Sequence, residues 1–163
     1  MPYEKKRSGR NLESASPREV ASIQVAGIVG FFTDGVHDVI EAVDDSELSD
    51  TPANDEDVEP IFVGDFTQLC LYCNYVKAGS TRVAVQLKVS YKEDGPYFPV
   101  PYTSPPAGGA VKLNDMIYRR DDNGPFPIPQ PNFGFQWLKV FVYGQGNLAG
   151  ASCEVHVARG WGN

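Results

Sequence analysis

The chain is poor in the residues that usually carry catalysis. It has two histidines, His37 and His156, and three cysteines, Cys70, Cys73 and Cys153. An odd, small cysteine count fits reduced thiols better than a disulfide framework. No Gly-x-Ser-x-Gly is present, so a nucleophile elbow is excluded. No Gly-x-x-x-x-Gly-Lys is present either, which excludes a phosphate loop. There is no run of about 20 apolar residues, as a transmembrane helix would need, so no membrane partner is expected. The opening "MPYEKKRSGRNLES" lacks the apolar middle of a secretory signal and points to synthesis in the cytoplasm. Basic residues are in the minority, 14 Lys and Arg against 21 Asp and Glu, for a formal net charge of −7. Such a surface repels phosphate backbones, so nucleic acid is not the expected partner.

What the chain does have is turn residues and alternation. Its 163 residues include 13 prolines and 16 glycines, a mix that suits short strands joined by turns. In "TRVAVQLKVSYKEDGPYFPV", Val83, Val85, Leu87, Val89 and Tyr91 fall on one parity, and Arg82, Ala84, Gln86, Lys88 and Ser90 on the other. Successive strand side chains point to opposite faces, so one face should be apolar and the other wet. Asp94-Gly95 then supplies a turn.

Residues 1–19 read as an extended arm. They contain Lys5, Lys6, Arg7 and Arg10 and no apolar periodicity. Residues 20–163 read as a single domain. Val20 to Val29 forms a first strand; Val36 to Val43 fits a strand or one helical turn, and the strand is preferred. Residues 44–59 hold many acidic groups and no basic one, as a solvated loop would. Phe66 to Val76 is a strand with Leu69, Leu71, Cys73 and Tyr75 inward, and the Lys77–Ser80 turn makes a hairpin of it and the alternating strand. Tyr97 to Tyr102, flanked by prolines, belongs at a sheet edge. Residues 103–110 form a loop, and Val111 to Arg120 a further strand. "DDNGPFPIPQPNFG" reads as an extended connection with polyproline character. Phe135 to Tyr143, apolar on both parities, should be a strand that is central or covered on both sides, forming a last hairpin with Ala151 to Ala158. The whole reads as an all-β, antiparallel, jelly-roll-like β-sandwich with an N-terminal arm.

Each chemical candidate competes with a plainer explanation. Cys70 and Cys73 form a CxxC, but positions i and i+3 of a strand face opposite ways and no second pair completes a zinc site. Packed thiols are the better reading. His37 and His156 fall on polar parities and read as surface residues. The acidic run lacks the spaced oxygens and central glycine of an EF-hand. Trp137 lies in the most apolar strand and reads as core. Trp161, in "RGWGN", suits a contact with another chain. No cofactor and no enzymatic activity are expected.

The block "FTQLCLYCNYVKAGSTRVAVQLKVSYKEDGPYF" resembles small β-sandwich virion proteins of tailed bacteriophages, of the capsid decoration, cement or head-completion type. The resemblance covers Phe66 to Phe98, with weaker similarity of layout through the last two strands. It implies a structural protein on the capsid exterior, bound to the major capsid protein or other virion subunits and present in many copies or as a homo-oligomer. Lys5, Lys6, Arg7, Arg10 and Trp161 are the expected partner-binding residues. A neck or tail protein of the same virion, or a carbohydrate- or receptor-binding sandwich, are the alternatives.

Overall fold

A computed structural model describes residues 36–100, 117–131 and 134–161. The expected arm at 1–19, with Lys5, Lys6, Arg7 and Arg10, lies outside them, as do the expected strand at 20–29 and the loop at 103–110.

The described residues form two antiparallel sheets packed face to face, the β-sandwich that the alternation predicts. The strands are β1 (Val36–Val43), β2 (Ile61–Phe62), β3 (Gln68–Val76), β4 (Ser80–Ser90), β5 (Phe98–Pro99), β6 (Ile117–Arg120), β7 (Gly124–Pro131), β8 (Trp137–Gly146) and β9 (Ser152–Gly160). The first sheet runs β1-β9-β3-β7; the second runs β2-β8-β4-β5, with β6 also paired to β4. With β6 set aside, this interleaving is the eight-stranded jelly-roll order.

The topology corrects two expectations. β3 and β4 are not a hairpin: β3 pairs with β7 and β9, while β4 pairs with β5, β6 and β8. The Lys77–Ser80 connection is an arch that carries the chain from one sheet to the other. It is held by a 2.6 Å hydrogen bond between the Tyr75 and Ser80 hydroxyls, both buried, and by donation from Ser80 N to Lys77 O at 2.9 Å. Likewise β8 and β9 lie in different sheets. A short turn between alternating strands suits a hairpin and an arch equally, so only the partners decide.

The inward parity behaves as expected. Val83, Val85, Leu87 and Val89 of β4 meet Leu69, Leu71, Cys73 and Tyr75 of β3 and Cys153, Val155 and Val157 of β9 in one core. The outward face of β4 does not. Ala84, Gln86 and Ser90 are buried. Asp55 reaches over this face, pairing with Lys88 Nζ at 2.5 Å and accepting through its carbonyl from Lys139. Phe141, opposite Gln86 in register, is buried on this outer face and is not part of the central core.

The proline-rich stretch is also a strand. β7 pairs with β3 along its whole length, Leu71 opposite Ile128 and Cys73 opposite Phe126. Pro125, Pro127, Pro129 and Pro131 fall on one parity. Alternate residues of an edge strand direct their N–H groups away from the sheet, and those are the positions where proline loses nothing. Phe126, Ile128 and Gln130, on the other parity, are buried. The same prolines leave that edge unable to recruit another strand.

Candidate interaction surfaces

The acidic segment 44–59 closes one side of the sandwich. Glu47 bridges to Ser152 of β9, and Leu48 N donates to Ala151 O at 2.9 Å. One residue on, Gly144 N of β8 donates to Ser49 O at 2.8 Å. The segment therefore ties both sheets together, with Leu48 buried as its anchor. A Cβ at Gly144 would lie 2.7 Å from Leu148 Cδ2 and 3.1 Å from Leu48 Cδ1, so the bare glycine is what lets the segment approach. The sequence shows this segment only as charge; Leu48 is the one sign that it is anchored.

Between this strap, the end of β1 and the middle of β8 lies a cleft of about 440 Å³. Its floor is apolar, from Val58, Phe141 and Val142; its rim carries the carboxylates of Glu41, Asp44, Asp57 and Glu59, and among the described residues no lysine or arginine lines it. Ser46, through its hydroxyl and its amide, holds the Asp44 carboxyl below its ordinary range, so Asp44 is charged. Asp57 accepts a 3.0 Å hydrogen bond from Asn54 Nδ2. A pocket with a greasy floor and an anionic rim suits a long cationic side chain, whose methylenes and charged head separate in the same way.

A second surface lies at the end of the β4–β5 pair. Phe98 stands opposite Val89, so both point to the core side. Phe98 is 60% exposed and Tyr91 67% exposed. Tyr91 packs on Phe135 with ring centroids 5.2 Å apart. Tyr91 shares the inward parity but lies past the last residue of β4 and is left exposed. The result is an apolar rim at the mouth of the sandwich.

Trp161 is built into its own fold. Its Nε1 donates to Asp65 O at 3.1 Å, and its ring meets His37 at 4.9 Å and Phe66 at 5.6 Å. Beside it, Arg159 forms a two-pronged ion pair with Asp38 and stacks over Phe66. His37, expected at the surface, is fully buried in this cluster. His37 sits at a register shift of β1, between Val36 and Asp38, where strand alternation no longer assigns the face. Trp137, expected in the core, is half-buried at the end of β8 and packs edge-on to Phe62 at 5.2 Å.

His156 is half-buried on the outer face of the first sheet, opposite Glu41 on β1 and Tyr72 on β3. Its Nε2 lies 3.4 Å from Glu154 Oε1, and the ligating atoms of Glu41, Glu154 and His156 all fall within 4.8 Å of one another. That donor set could hold a zinc-like cation. The cysteines are placed otherwise: Cys73 and Cys153 face the central core and Cys70 does not. All three are buried. Burial pushes the Cys70 thiol up to about 12 and the Cys73 thiol well above its usual value, so neither is a ready nucleophile.

No family model and no curated protein matches the chain. Among solved structures, the SPBc2 prophage-derived protein YomS is similar in layout, at 12% identity and a TM-score of 0.45 over 74% of this chain and 90% of that one.

Proposed function

We propose that this is a structural virion protein of a tailed bacteriophage, bound to the capsid exterior as a decoration or cement protein. The observation that carries the reading is the apolar rim of Tyr91 and Phe98, which terminates the same Phe66–Phe98 block that resembles such proteins. Large exposed aromatics at the mouth of a sandwich are costly to leave in water and suit a partner surface that covers them. The jelly-roll order agrees by analogy, since capsid proteins use it, as do lectins. The protein would stabilise the shell by bridging neighbouring subunits, with many copies acting together. Its acidic surface fits a place outside the shell, away from packaged DNA.

The test is to purify virions of the encoding phage and ask whether the protein bands with the major capsid protein in many copies. Particles lacking it should rebind added protein, and Tyr91→Ser with Phe98→Ser should weaken rebinding at least about tenfold, the equivalent of about 1.4 kcal/mol. Absence from purified particles would overturn the reading. Binding at a single vertex would move it to the neck, and glycan binding lost in the same variant would favour the receptor-binding alternative.

A further inference from the structure

We infer that the acidic cleft is the docking site for this chain's own basic segment, Lys5–Arg10. The cleft offers four carboxylates, Glu41, Asp44, Asp57 and Glu59, around an apolar floor. Among the described residues none of the four is in a salt bridge with lysine or arginine. The nearby Lys88 and Lys139 are engaged by Asp55 instead. A rim of this kind repels itself and is relieved by a cation that also fills the floor. The chain contains one dense source of such side chains: Lys5, Lys6, Arg7 and Arg10 occupy four of six consecutive positions, while the described body is strongly acidic.

Reach is not limiting. Residues 11–35 separate the basic segment from β1, and even with the expected strand at 20–29 set aside the remaining 15 residues span up to about 50 Å when extended. The cleft lies at the far end of β1, at Glu41 to Asp44. A tether of this length gives a local concentration on the order of millimolar. In dilute solution each cleft therefore receives its own segment, and only crowded copies exchange segments, as in domain swapping. This contact does not depend on the virion reading, because it is made in the isolated protein.

The test uses purified full-length protein and a zero-length carbodiimide cross-linker, read by mass spectrometry. Cross-links should join Lys5 or Lys6 to Asp57 or Glu59. In a mixture of isotope-labelled and unlabelled protein at about 10 µM they should fall within one copy, and mixed pairs should appear only as concentration nears the millimolar range. Raising salt from roughly 50 mM to roughly 500 mM should suppress them. Arg7→Gln with Arg10→Gln leaves every reacting group in place, adds none, and should lower the yield severalfold. No cross-links to Asp57 or Glu59, a yield indifferent to Arg7→Gln with Arg10→Gln, or mixed pairs already dominant at about 10 µM would each overturn the proposal.

Discussion

The two long sides of the sandwich are closed by opposite means. On one side β6 belongs to the second sheet and β7 to the first, and the Asp121–Asn123 link crosses between them. Tyr118 and Phe126 stack there at 5.3 Å, with the Arg120 guanidinium over Phe126. The arch residue Lys77 adds a clasp, its amide donating to Asn123 Oδ1 and its ammonium to Asp121 O. On the other side the sheets end at β1 and β2, and an acidic strap with the single buried anchor Leu48 spans the gap. The first side is filled by aromatic packing and leaves an edge blunted by proline. The second retains a cleft with a charged rim. Stability should therefore concentrate on the first side, and binding of a cationic segment on the second.

Both sides lean on the same core, so the largest effect should come from breaking it. Val85 is 2% exposed between the sheets. Val85→Asp places an unpaired carboxylate there and should unfold the domain, at several kcal/mol. Circular dichroism and loss of the cooperative melt would report it. A soluble, cooperatively melting Val85→Asp would mean that the assigned register of β4 is inverted.

Next come the two sides themselves. Phe126→Ala removes a buried ring that packs on Tyr118 and should cost about 3–5 kcal/mol. Leu48→Ala empties a smaller site at the margin and should cost about 2 kcal/mol, near the lower end for leucine. Denaturant titration of both variants measures the difference. If Leu48→Ala proved the costlier, the strap would be a structural wall and the contrast between the sides would fail.

The sequence exposes these sides unequally. The core strands are legible because alternation survives wherever one face is buried, as in Val83 to Val89 and Leu69 to Tyr75. The edge position of β5 is legible from Pro99. β7 is not, because its prolines suggest a strand-free connection until one sees that all of them share the parity whose N–H groups need no partner. The hairpin reading of β3–β4 and β8–β9 fails for another reason: sheet membership is a long-range property that a four-residue turn does not encode. The cleft is legible only as charge. Its floor comes from β8, about 80 residues from the strap, and no local pattern in either segment announces the other.

A smaller effect concerns the thiols. Cys70 and Cys73 are buried and their thiols are held protonated near neutral pH. Labelling by a thiol reagent at pH 8 should be slow in the native protein and complete in denaturant. If Phe126→Ala opens the first side, labelling of Cys73, opposite Phe126 in register, should accelerate more than in Leu48→Ala. Equal acceleration in both variants would show global unfolding and no difference between the sides.

The smallest effect belongs to the polar clasp on the first side. Arg82 Nε and Nη2 donate to the two carboxylate oxygens of Asp121 at 2.5 and 2.9 Å. That pairing holds the Asp121 carboxyl below its usual value of 3.8, chiefly through the side-chain hydrogen bond from Arg82. A carboxyl depressed in the folded state binds its proton more readily when unfolded. Its contribution to stability is therefore present above the unfolded value and is lost as pH falls through the folded one. Both groups lie at the surface, where solvent and salt screen the pair, so the contribution is small. Arg82→Ala should lower the melting temperature slightly at pH 7 and in low salt. The gap between variant and parent should shrink as pH drops below about 4, and it should also narrow in high salt. A gap that persists unchanged at low pH would assign the loss to the packing of the Arg82 stem on β4, and the clasp would then contribute nothing through its charge.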